Sequence, residues 1–180
     1  MPDTHHPPMP RRALITGTIT LAVLDIVSKY AAFAALGEPQ QNPASPHGFP
    51  VIDGFFYFTT RYNTGFSWSW FSGIPWLLSA FINILILGAV GYMLFFTRHI
   101  PVNRWTIAAG MLIMGGACGN LYDRLVHQAV RDFIDFVIPI INYNYPVFNL
   151  ADVFIVAGVI VAVAEPYLSG RSRAGDAAHG

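Results

Sequence analysis

Charge is scarce in this sequence. Asp, Glu, Lys and Arg make up 11% of its 180 residues, against 54% hydrophobic residues; a soluble domain carries roughly 25% charge. The shortfall makes lipid the expected solvent for much of the chain. Net charge is zero, and no basic stripe exists that could track a phosphate backbone, so nucleic acid is not an expected partner. A single cysteine, Cys118, excludes an internal disulfide framework. His, Cys and Glu do not gather at metal-ligand spacing, so neither a metal nor another cofactor is expected. Of the histidines, only His47 and His127 fall on the side of the chain read below as outer, and neither has a Ser or Cys partner there that it could activate as a nucleophile.

Long apolar runs are what the sequence does have. Residues 13–36, 74–96, 105–122 and 150–168 each approach the roughly 20 residues that cross a bilayer. The first run is longer than the apolar core of a secretory signal peptide and carries Asp25 and Lys29, which favours a retained span over a cleaved leader. Prolines break 37–50 into a loop. The Phe, Tyr, Thr and Trp of 51–71 fit short strands at the membrane surface, whereas 126–148 shows no clean period. The expected architecture is therefore an all-α membrane protein of four transmembrane helices with a small extracytoplasmic β-rich loop region. One four-helix domain, 13–168, would lie between tails 1–12 and 169–180, with outer loops 37–73 and 125–148. Arg11, Arg12, Arg98, Arg104, Arg171 and Arg173 lie on the tail side, so the positive-inside rule puts both termini in the cytoplasm.

Against this background some charges sit where hydrocarbon should exclude them. Asp25, Lys29, Asp123, Arg124, Arg131, Asp132, Asp135 and Asp152 lie within or beside the spans. Charges at such positions pair, line a wet cavity or do chemistry. In the four-span topology all of them fall toward the outer end of a helix or just beyond it, which points to one polar site. Two aspartates sharing a proton supply a base and an acid without histidine, because like charges a few ångström apart do not both ionise readily. The plainer readings remain open at this point. Asp152 suits a helix start. Asp25 and Lys29, four apart, suit an internal ion pair as well as a substrate contact. Asp123 and Arg124 suit a structural role at a helix end, and Asp135 a surface or supporting position. Asn63, Asn120 and Asn149 suit bridges to buried backbone as well as contact with substrate. Gly115, Gly116 and Gly119 suit close helix packing. Two rival classes are a small proton-coupled membrane transporter, which would hold its carboxylates near the bilayer midplane, and a non-catalytic scaffold.

Five stretches carry a resemblance. Leu24-Asp25-Ile26-Val27-Ser28-Lys29, Arg61-Tyr62-Asn63-Thr64-Gly65, Gly115 through Leu125, Val130-Arg131-Asp132-Phe133-Ile134-Asp135-Phe136 and Phe148-Asn149-Leu150-Ala151-Asp152 resemble, in order, the signatures of lipoprotein signal peptidase, signal peptidase II. The resemblance implies a membrane aspartyl endopeptidase of the bacterial inner membrane, monomeric and needing no cofactor. It would act on lipid-modified prolipoproteins within membrane lipid, near the outer face, and cut just before the diacylglyceryl-bearing cysteine. The catalytic pair carried over is Asp132 and Asp152. Asn63, Asn120, Asp123, Arg124, Asn149, Asp25 and Lys29 are carried over as substrate-binding or site-supporting residues. Ile26, where the family often has Gln, and Phe66, Ser67 and Trp68, where it has small residues, depart from the pattern.

Overall fold

Each long apolar run becomes a helix. The computed structural model describes residues 11–39, 48–65, 75–96, 103–141 and 143–177. Its helices are α1 (Arg11–Leu36), α2 (Pro75–Phe96), α3 (Arg104–His127) and α4 (Leu150–Ala177). Among the described residues two stretches are long and apolar enough to cross a membrane, Arg12–Leu36 and Leu150–Tyr167, and α2 holds a shorter one, Leu77–Tyr92. In α3 four glycines together with Asn120, Asp123 and Arg124 dilute the hydropathy. The helix ends differ slightly from expectation: α3 runs past 122 to His127, and α4 continues through Pro166 into what reads as a polar tail.

Burial is inverted relative to a soluble protein. Ile15, Ile19, Val27, Phe81, Leu85, Val156, Ile160 and Val163 are exposed on the helix faces, while Asp25, Lys29, Asn120, Asp123, Asp132 and Asn149 are buried. Hydrocarbon outside and polar groups inside is the arrangement a lipid solvent demands. The middle helix is α3, packed against α1, α2 and α4. Its glycines make that possible. A Cβ on Gly115 would meet Leu21 Cβ at 2.6 Å, one on Gly116 would press into the Ala151 carbonyl, and one on Gly119 would press into the Asp25 carboxylate. These are the close small-residue contacts expected of membrane helices. Asn103 caps the start of α3, accepting from the Trp105 and Thr106 amides, and Gln128 ends the helix in the left-handed conformation (φ 58°).

The chain is not all-α. Four antiparallel strands, β1 (Phe49–Ile52), β2 (Phe56–Asn63), β3 (Val130–Ile138) and β4 (Tyr143–Asn144), form one sheet in chain order. Gly54, at φ 75°, turns β1 into β2. The aromatic stretch does form strands, although β1 begins at Phe49, inside the segment expected to be loop. The longest strand, β3, lies where no period was legible. Its first four residues, Val130, Arg131, Asp132 and Phe133, are all buried, polar and apolar alike, so the period-2 alternation of a half-buried strand is absent. Isolated pairing of Ile134 with Phe148 fastens β3 to the approach to α4. Sheet and helix ends thereby meet at one end of the bundle. Phe66, Ser67 and Trp68 lie outside the described residues.

Candidate active site

Two buried charge groups prepare the site. On α1, Lys29 stands one turn beyond Asp25, and its Nζ lies 2.7 Å from Asp25 Oδ2. Both side chains are fully buried, so each relies on the other to remain charged. The same ammonium donates to Asn120 Oδ1 on α3 (2.9 Å) and lies 3.5 Å from Asp123 Oδ2. Asp25 Oδ1 accepts the Ala151 amide at 2.8 Å, tying α1 to the start of α4. The second group couples α3 to β3. Asp123 accepts from Arg131 three ways: the backbone amide at 2.9 Å, Nε at 3.2 Å and Nη2 at 2.7 Å. The Arg131 guanidinium also lies over the Tyr30 ring, 4.0 Å from its centroid.

Between these groups the two candidate aspartates come together around one asparagine. Asn149 caps α4, its Oδ1 accepting the Asp152 amide (3.1 Å) while Asp152 Oδ2 accepts the Asn149 amide (3.2 Å). This is a reciprocal capping box, so the structural role expected of an acid at a helix start is real. It occupies only one carboxylate oxygen. The other, Oδ1, accepts from Asn120 Nδ2 at 2.9 Å. The remaining end of Asn149, Nδ2, donates to Asp132 Oδ1 at 2.6 Å and to Asn120 Oδ1 at 3.2 Å. A single residue therefore holds both acids. On its far side Asp132 Oδ2 accepts from Asn63 Nδ2 at 3.0 Å. The Asn63-Thr64-Gly65 turn explains that donor: the Gly65 amide donates to Asn63 Oδ1 (3.0 Å), which leaves Nδ2 facing Asp132. Gly65 itself sits at φ 95°, where a side chain is strained.

Burial and the neighbouring Asp152 carboxylate push the Asp132 carboxyl up from 3.8 to about 7, and its bonds to Asn149 and Asn63 only partly offset this. Asp132 is thus an acid that can hold a proton near neutral pH. Arg124 lies near enough to this pair for both acids to act on its charge. Its guanidinium donates to Ser79 Oγ on α2 (2.8 Å) and to the Asn120 carbonyl (3.1 Å), and its charge is felt by both Asp152 and Asp132. From Asp152 an apolar groove of about 600 Å³ follows α4 toward Ile160, lined by Val153, Val156 and Ile160 and also by Phe55, Phe136 and Phe148.

All nine residues carried over by the resemblance belong to this one constellation. The ion-pair reading of Asp25 and Lys29 is the geometry observed, and Asn120 and Asn149 bridge side chains rather than backbone alone. Asp135, expected at a surface or a supporting position, is buried, which removes the first and leaves the second. It projects from the face of β3 opposite Asp132, as alternation requires. Sequence reasoning gave no part to Ser79 or to the hold of Arg131 on Asp123. Arg131 stood among the misplaced charges and had a buried acid to match; Ser79 carried no signal at all.

Comparison with known proteins places the chain. Residues 18–167 match the family described as Signal peptidase (SPase) II. The lipoprotein signal peptidase of Bacillus subtilis (strain 168) is 38% identical over 134 residues, 74% of this chain and 84% of that protein. That of Yersinia pseudotuberculosis serotype O:1b (strain IP 31758) is 38% identical over 152 residues, 84% of each. Two solved structures of a bacterial membrane enzyme, crystallised in meso, superpose with TM-scores of 0.70 and 0.72 at 28% identity. They cover 92% and 89% of this chain and 93% and 97% of theirs. The chain belongs to the signal peptidase II family.

Proposed function

We propose that this protein is a membrane-embedded aspartyl endopeptidase that removes signal peptides from diacylglyceryl-modified prolipoproteins, cutting just before the lipidated cysteine. Family membership supports the substrate class. The observation that carries the catalytic type is the pair of carboxyl groups, Asp132 and Asp152, held by the two ends of Asn149. Asp152, with a hydrogen bond on each oxygen and a helix N-terminus behind it, suits the ionised partner. Asp132, held up near 7, suits the protonated one.

In this reading a water between the two loses a proton to Asp152 and attacks the scissile carbonyl, while Asp132 gives its proton to the carbonyl oxygen. The tetrahedral intermediate collapses as Asp152 passes its proton to the leaving amine and Asp132 recovers its own. The C–N bond breaks and no covalent enzyme intermediate forms. Arg124 faces the region where negative charge develops. The apolar groove beside Asp152 suits an acyl chain, which would keep the bond at the depth of the site. The four helices are read as four spans of one domain with both termini cytoplasmic, the sheet at the outer surface and a monomer as the working unit. A proton-coupled transporter is disfavoured, since Asp123, Asp132 and Asp152 gather where the ends of α3 and α4 meet the sheet.

The test is a cleavage assay with purified protein and a synthetic prolipoprotein peptide, with and without diacylglyceryl on its cysteine, read by mass spectrometry. Cleavage immediately before the modified cysteine, and none of the unmodified peptide, is expected. Proton-driven uptake into vesicles without cleavage would overturn the assignment.

A further inference from the structure

The mechanism above uses Asp132, Asp152 and their asparagine donors, yet the most thoroughly buried cation, Lys29, takes no part in it. Its surroundings are specific. Its ammonium is shared among Asp25 Oδ2, Asn120 Oδ1 and Asp123 Oδ2, at 2.7, 2.9 and 3.5 Å. Both acids are held elsewhere as well, Asp25 by the Ala151 amide and Asp123 by Arg131, so the ammonium cannot drift with them. Gly119 leaves the room that the Asp25 carboxylate occupies.

The consequence falls on Asn120. An amide has an acceptor end and a donor end, and the two are nearly alike in shape. Here the oxygen meets Lys29 Nζ and Asn149 Nδ2, two donors, while the nitrogen meets Asp152 Oδ1, an acceptor. A flipped amide would set NH₂ against an ammonium and another NH₂, and oxygen against a carboxylate. Asn149 alone supplies a neutral donor at 3.2 Å; the charged bond at 2.9 Å is the stronger constraint.

We propose that Lys29 is a positioning residue, which fixes the amide of Asn120 so that its nitrogen always donates to Asp152 and thereby sets the rate of the chemical step and not the binding of substrate. This deepens the aspartyl reading and rests on it.

The test uses the purified full chain and the diacylglyceryl peptide, with kcat and KM measured separately. Asp25→Asn with Lys29→Met removes both members of the buried pair at once, so neither charge is left unpaired. We expect kcat to fall at least about tenfold with KM changed by less than about twofold. Lys29→Gln in place of Lys29→Met restores a donor without a charge and recovers part of kcat. Asn120→Ala lowers kcat by a similar factor, and in that background the Asp25→Asn/Lys29→Met pair has less than about a threefold further effect, because the link is already cut.

Should the pair fail to fold, Gly119→Ala, which keeps every charge but pushes on Asp25, carries the same expectation of lost kcat that disappears in the Asn120→Ala background. An undiminished effect in that background, no recovery with Gln, or a change in KM alone overturns the proposal. Asp132→Asn and Asp152→Asn are assayed alongside. Turnover by either removes the dyad and the proposal with it. Inactive dyad variants combined with an undiminished Lys29 effect remove only the role of Lys29.

Discussion

The two aspartates at the centre of this molecule have the same side chain and opposite settings. Asp152 stands in the first turn of α4, partly accessible, with a donor on each oxygen and a helix N-terminus beneath it. Asp132 stands on β3, buried between sheet and helices, where loss of solvent and the neighbouring carboxylate outweigh the two amides that bond it. Helix terminus and strand interior are different electrostatic environments, and one acid stands in each, which is the separation the proposed division of roles needs. Asn149 belongs to both environments, through its backbone amide on one side and its side chain on the other.

That contrast can be broken most severely at Asn149. Asn149→Ala removes the shortest donor from Asp132 and the side-chain cap of α4 that sets the position of Asp152, leaving only the backbone amide on the Asp152 carboxylate, so kcat is expected to fall by on the order of 100-fold or more. Asn63→Ala removes one donor from Asp132 only and is expected to cost about tenfold. Steady-state cleavage of the lipidated peptide ranks the two, and equal losses would deny Asn149 its double role. The pH dependence sharpens the difference between the acids. Asp132 must be protonated to act, so the rate should decline about tenfold per pH unit above about 7.

Stability follows the same ionisation with a definite sign. The folded chain holds the Asp132 proton up to about 7, while the unfolded chain gives it up near 3.8. Between those values the native state binds more protons, so this group's contribution falls as pH rises and the penalty is complete above 7. Asp132→Asn should flatten that slope in thermal unfolding at pH 4 to 8 and be the more stable protein at pH 8. The smallest expected effect is at Gly65: Gly65→Ala forces a side chain into φ 95° and should cost about 1 kcal/mol, visible as a lower unfolding temperature.

What was legible in the sequence follows from the same physics. The helices were readable because lipid imposes long apolar runs, and the site because charge is costly there, so Asp25, Lys29, Asp123, Asp132 and Asp152 stood out against the background. The resemblance then singled out Asp132 and Asp152 as the proposed catalytic pair. β3 was not readable, because it is buried on both faces and its polar residues point inward beside its apolar ones. The surface alternative for Asp135 fell for the same reason, since the strand is buried on both faces up to that residue while a supporting position remains. Ser79, an ordinary serine in an apolar helix, became meaningful only with Arg124 beside it.

The most direct test of the account is turnover by Asp132→Asn and Asp152→Asn, purified, verified as folded by cooperative thermal unfolding, and supplied with the diacylglyceryl peptide. Each is predicted to lose the cleavage of that peptide while the four-helix fold persists. Cleavage at the wild-type rate by either folded variant would contradict the claim that these two acids, joined through Asn149, perform the reaction.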